Sequence, residues 1–159
     1  MPVVVNTSPV ILLDKVRKLE LLARLHGTPV LPPAVVAELR AKPGASLQGI
    51  DPFLESVEVR PPANALLVRA LSADLGAGEA EAIALAAEVP GSLLVMDDGE
   101  GRRVARTLGL PVTGTVGILL EAKARGWLPD IASLLDQLVA EGLWLSEKMR
   151  RAILDAAGE

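Results

Sequence analysis

Two kinds of apolar pattern alternate along this chain. Residues 2–5, 28–31, 93–96 and 111–113 are short apolar or β-branched runs, and each predicts a strand. The run Leu93-Leu94-Val95-Met96 contains no polar residue, so both faces of that strand should be covered. Between these runs, apolar positions recur at helical spacing. They predict helices over 10–25, with a break near Lys15, and over 33–41, 64–71, 100–108, 115–125, 130–142 and 146–157. The Ala-rich stretch from Gly78 to Glu88 predicts a further helix. Residues 42–51, rich in Gly, Pro and Ser, read as an irregular loop, and Val57-Glu58-Val59 reads as a short strand. Strands alternating with helices imply an α/β fold, a parallel sheet with helices on both faces.

The strand ends are the informative places, because ligands in open α/β sheets sit beyond the carboxyl ends of the strands. The first strand ends at Asn6-Thr7-Ser8-Pro9, a turn into a helix with Pro9 in its first turn. The 93–96 strand ends at Asp97-Asp98-Gly99. One of these two acids can cap the next helix while the other faces a site. On the helix from Pro33, Val35, Val36 and Leu39 form an apolar arc with Glu38 at its edge. On the Ala-rich helix, a turn of about 100° per residue puts Glu79 on the face of Ile83 and Ala86. Glu81 falls opposite, with Glu88. Glu79 is therefore expected in a cleft and Glu81 in water.

Asn6, Glu38, Glu79 and Asp97, with Asp98 as a fifth, would then converge on one sheet edge. Crowded carboxylates are unfavourable unless a cation offsets them. The chain has no Cys and one His, so a metal site must use oxygen ligands, which suit Mg2+ or Mn2+. Such a site points to phosphodiester chemistry, and Arg102, Arg103 and Arg106 are candidates to hold a nucleic-acid backbone beside it. The net charge of −4 argues against general binding of polyanions. With no Tyr and one Phe, aromatic base-stacking platforms are not expected, and Trp127 and Trp144, at helix ends, read as packing anchors. His26, before Gly27, reads as a helix-terminal residue rather than a base. Gly114-Thr115-Val116-Gly117 opens a helix and offers a weak phosphate-binding signal, without the full dinucleotide or P-loop pattern.

The length of 159 residues implies one domain over 1–159. No basic leader region and no apolar run approaching the ~20 residues of a membrane span are evident, so a soluble, cytoplasmic protein is expected.

Asn6-Thr7-Ser8-Pro9 after a Val run, Glu38, Gly78-Glu79-Ala80-Glu81-Ala82-Ile83-Ala84 and the strand into Asp97-Asp98 together resemble the PIN domain. The likeness extends towards the VapC-type toxins of toxin–antitoxin pairs and covers nearly the whole chain. It implies a three-layer α/β/α fold around a parallel sheet of about five strands. It also implies a metal-dependent endoribonuclease, frequent homodimers and a small antitoxin partner. By the resemblance Glu38, Glu79 and Asp97 take site roles and Thr7 is the hydroxyl beside the first acid. The sequence departs from the pattern at Asn6, where the family has Asp. An amide keeps an acceptor oxygen and loses the charge. Glu79 stands where many relatives have Asp. The competing expectations are a weakened PIN-like protein that binds RNA or a protein, and a nucleotide-phosphate binder using residues 114–117.

Overall fold

In the computed structural model, which describes residues 1–41 and 47–159, five parallel strands form one sheet. They are β1 (Val3–Val5), β2 (Val30–Leu31), β3 (Glu58–Val59), β4 (Leu93–Val95) and β5 (Val112–Thr113). Their spatial order is β3-β2-β1-β4-β5. Successive strands step outward from β1 in one direction, then return and step outward on the other side. The order reverses between β1 and β4, whose residues pair Val3 with Leu93, Val4 with Leu94 and Val5 with Val95. The crevice beyond the carboxyl ends of these two strands is therefore the topological switch point.

Strand periodicity sorts side chains onto two faces. Val3, Val5 and Val95 join a core with Val10 and Leu13 of α1 (Thr7–Lys15), Leu21 and Leu22 of α2 (Glu20–His26), and Val35 and Leu39 of α3 (Pro33–Ala41). The same core takes Ile50 and Phe53 of α4 (Leu47–Ser56), Ile118 and Leu119 of α8 (Thr115–Ala124) and Leu135 of α9 (Ala132–Ala140). Val4, Leu94 and Met96 face the other way. They pack on Ala82, Ile83 and Leu85 of α6 (Ala77–Glu88) and Ala105 of α7 (Gly99–Thr107), with Leu71 at the end of α5 (Ala65–Leu71). The three-layer α/β/α architecture follows from these two faces. The last helix, α10 (Glu147–Ala156), starts at Ser146, whose hydroxyl accepts from Met149 N–H at 3.1 Å.

The predicted helix over 10–25 is interrupted, as expected, after Lys15. Arg17 adopts φ +58°, a left-handed conformation that ends α1 before α2 begins. The irregular loop expected over 42–51 is corrected in part. Residues 42–46 lie outside the described residues, but 47–51 belong to α4. Burial of Ile50 and Phe53 in the core outweighs the turn-forming composition there. Among the described residues, no helix is long and apolar enough to cross a membrane.

Candidate functional site

Asn6 follows β1 directly and its backbone N–H donates to Val95 of β4 at 3.0 Å. This bond extends the ladder one residue past both strands and brings Asn6 beside the Met96-Asp97 turn. Asn6 is only 3% exposed, and among the described residues its Oδ1 has no hydrogen-bond partner. Buried acceptors are rarely left unpaired. The cavities that Asn6 lines are also lined by Glu79 and Ser8. One adds Thr7 and Glu38, the other Asp97, Asp98, Leu143 and Trp144. Asn6 and Glu79 line both cavities, while Glu38 lines one and Asp97 the other.

Each carboxylate in this region already holds a donor. The Asp97 oxygens accept from the Thr115 backbone N–H at 2.8 Å and from the Thr115 hydroxyl at 2.6 Å. Thr115 is fully buried at the first turn of α8, so Asp97 sits on that helix's positive end. Glu38 accepts from the Thr7 hydroxyl and from Gly78 N–H at 3.0 Å, at the start of α6. Glu79 turns back on the N-terminus of its own helix and accepts from Gly76 N–H at 2.9 Å. Asp98 caps α7 by accepting from Gly101 N–H at 2.7 Å. As expected, one of the adjacent acids, Asp98, caps the next helix, but both acids line the crevice and Asp97 also holds the start of α8. Helix N-termini stabilise this negative charge where it is gathered. Among the described residues, no group of three or more His, Cys, Asp or Glu stands close enough to hold a metal ion.

Several sequence expectations change. Thr7, the hydroxyl expected beside the first acid position, is buried and donates to Glu38. Glu81 does not point into water. It accepts from Ala34 N–H at 3.0 Å, at the start of α3, while Glu38 of α3 holds the start of α6. Helical phase sets the direction of a side chain from its own axis, but not which neighbour lies there. Glu88 similarly holds Ala63 N–H and Asn64 N–H at the entry to α5. The phosphate reading of residues 114–117 is overturned, because Asp97 already occupies the N–H and hydroxyl of Thr115. Without a bridging cation, an anion placed there would meet a carboxylate of like charge.

The arginines separate. Arg103 is bound to Glu100, with Nε 3.1 Å from Oε2, and faces solvent. Arg102 is half-buried, donates to the Met96 carbonyl at 3.1 Å, and lines a cavity with Asp97. Burial holds its guanidinium below the ordinary value, with a further lowering from nearby Arg106, while Asp97 raises it. Gly114 permits this approach, since a β-carbon there would lie 2.6 Å from Asp97 Oδ1 and 2.9 Å from Arg102 Nη1. His26 packs on α8, with Nε2 3.3 Å from Glu121, which agrees with its reading as a helix-terminal residue. Trp127 anchors packing as expected, between Arg24 at 4.0 Å and Arg125 at 5.4 Å from the ring centre.

Trp144 was misjudged from sequence. It is 76% exposed and lines two cavities that share Asp97. Its place two residues after Gly142 gave no signal, because the cavity also needs α7, β5 and the start of α8, which lie earlier in the chain.

A family model described as the PIN domain matches residues 2–159. No curated protein matches the chain.

Proposed function

The chain belongs to the PIN-domain family, and from that premise we propose that it is a Mg2+- or Mn2+-dependent endoribonuclease of the toxin–antitoxin type, with a centre weakened by Asn6. The observation that carries this reading is the unpartnered, buried Oδ1 of Asn6 at the switch point, in cavities shared with Glu38, Glu79 and Asp97. These donors are all hard oxygens, and such ions need only one or two carboxylates with water completing the shell. In kind they fit a divalent ion. Asn6, Asp97 and Glu79 would hold it, with Asp98 at the rim.

When bound, the ion would supply charge neutralisation at a phosphate and an activated water. The chain's own groups prepare the place. Thr115 fixes both Asp97 oxygens. Thr7 and Gly78 fix Glu38. Arg102 and Arg106 offset phosphate charge on the α7 side. Asn6 contributes an oxygen without charge, so ion affinity is lower than with Asp at that position. The likeness to VapC-type toxins adds a homodimer and a small antitoxin as expected partners.

A second reading, an RNA- or protein-binding PIN domain that does not cut, rests on the same Asn6 and on carboxylates already holding donors. One experiment separates the two. Cleavage of a mixed RNA pool with Mn2+ is compared for wild type, Asp97→Asn and Asn6→Asp, with Mn2+ affinity measured alongside. The nuclease reading expects cutting by wild type, loss of cutting in Asp97→Asn, and tighter Mn2+ binding with faster cutting in Asn6→Asp. No cutting by wild type, together with no gain from Asn6→Asp, would leave the binding reading in place.

A further inference from the structure

We infer that the apolar cavity beside Asp97, walled by Trp144, Leu143 and Leu145 with Arg102 at its mouth, receives an unpaired base of single-stranded RNA. The inference rests on the ribonuclease reading and names the substrate form that the site accepts.

The cavity encloses about 610 Å3, within the ~300–1,000 Å3 of ordinary ligand sites. Met149 and Ile153 of α10 form its far wall. Trp144 borders both this cavity and the polar crevice containing Asn6, Glu79 and Asp97. A strand whose phosphate lies at Asp97 therefore has a neighbouring base within reach of the indole.

The exposure of Trp144 is not that of a loose loop. Leu143 and Leu145 on either side pack against the main core, and Leu143 N–H donates to the Leu138 carbonyl at 2.9 Å. The backbone is pinned on both sides of an indole left 76% exposed. The contrast with Trp127, covered by two guanidinium groups, is direct. An exposed ring on a fixed backbone gives a π-face without a large loss of freedom on binding.

Charge decides the kind of occupant. The chain carries −4 overall, yet Arg102 lines this cavity, and Arg106 is close enough to Arg102 to lower its pKa. Among the described residues, neither is in an ion pair with a carboxylate. An apolar, aromatic wall next to the Arg102 guanidinium, whose hydrogen bond goes to the neutral Met96 carbonyl, matches a base joined to a phosphate. Bases stacked inside a duplex cannot enter such a cavity, so single strands are selected.

Tryptophan fluorescence tests this with eight-nucleotide oligouridine and oligoadenosine strands. Titrations are run in EDTA with wild type, and in Mn2+ with Asp97→Asn. Single strands should quench fluorescence in at least one condition. Quenching should persist in Trp127→Phe and vanish in Trp144→Phe. By anisotropy of labelled strands, Trp144→Ala should weaken binding by roughly ten-fold, with Trp144→Phe retaining most of it. Equal quenching by a duplex or an abasic strand would overturn the inference, as would no quenching in either condition. So would a Trp144→Ala variant that loses self-association but keeps its RNA affinity, which would mark the ring as an interface between copies. Binding is read without cleavage. Quenching by a wild type that fails to cut the RNA pool when Mn2+ is supplied would sink the nuclease reading and leave the base site standing.

Discussion

Gly78 has no room for a β-carbon. One built there would lie 2.8 Å from the carboxyl carbon of Glu38 and 2.7 Å from Oε1. Glycine inside a helix is normally a loss of up to ~1 kcal/mol relative to alanine. Here it lets α6 approach the Glu38 carboxylate and donate its backbone N–H. The obstructing atoms are the end of a flexible side chain, so Gly78→Ala should displace Glu38 rather than unfold the protein. Urea denaturation should show a change below ~1 kcal/mol, because recovered helix propensity offsets the lost bond. Cleavage of the RNA pool with Mn2+ should fall in the same variant. Stability lowered by more than ~3 kcal/mol would instead mean that the carboxylate cannot move.

At the scale of elements, α3 and α6 hold each other's starts. Pro33 lacks an N–H to satisfy, but Ala34 has one, and Glu81 of α6 takes it. Glu38 of α3 returns the contact at Gly78. Glu81→Ala leaves the Ala34 donor without its protein partner, and the loss should be about 1 kcal/mol, as for an ordinary cap. Amide hydrogen exchange should quicken in the first turn of α3 more than in α9. Uniform quickening would show that Glu81 supports the whole fold, not one helix start. The effect should also reach the site, since α3 carries Glu38.

Across the whole molecule, Glu159 ties three helices together. Its side chain, beyond the end of α10, pairs with Lys123 of α8 at 2.9 Å and accepts from Ile131 N–H at 2.8 Å, at the entry to α9. The Lys123 hydrogen bond, with those from Ile131 and Ala132, holds its carboxyl below the ordinary value of 4.5. A carboxyl depressed by folding stabilises the native state above its unfolded value. That contribution is lost as pH falls from 4.5 through the lower folded value. Glu159→Gln should therefore lower the melting temperature at pH 7, and the gap to wild type should close below that window. A gap of constant size in acid would mean that shape, not charge, makes this contact.

The sequence by itself determined the strands, most helices and the sheet type, because these depend on local periodicity and on glycine and proline at element ends. Asn6 and Asp97 were legible as strand-end positions for the same reason: each directly follows an apolar run. Tertiary structure alone decided how the acids are used. Helical phase could favour Glu79 for the crevice, but it could not show that Glu81 meets the N-terminus of α3. Composition could not show that Ile50 and Phe53 would be buried and hold 47–51 in a helix. Nor could it show that Thr115 would meet Asp97, across the crossover from β4 to α8. Trp144 is the sharpest case. Its place near a helix-ending glycine suggested a packing anchor, and only the packing of α7, α8 and α10 around an open cavity leaves it exposed and in a cavity with Asp97.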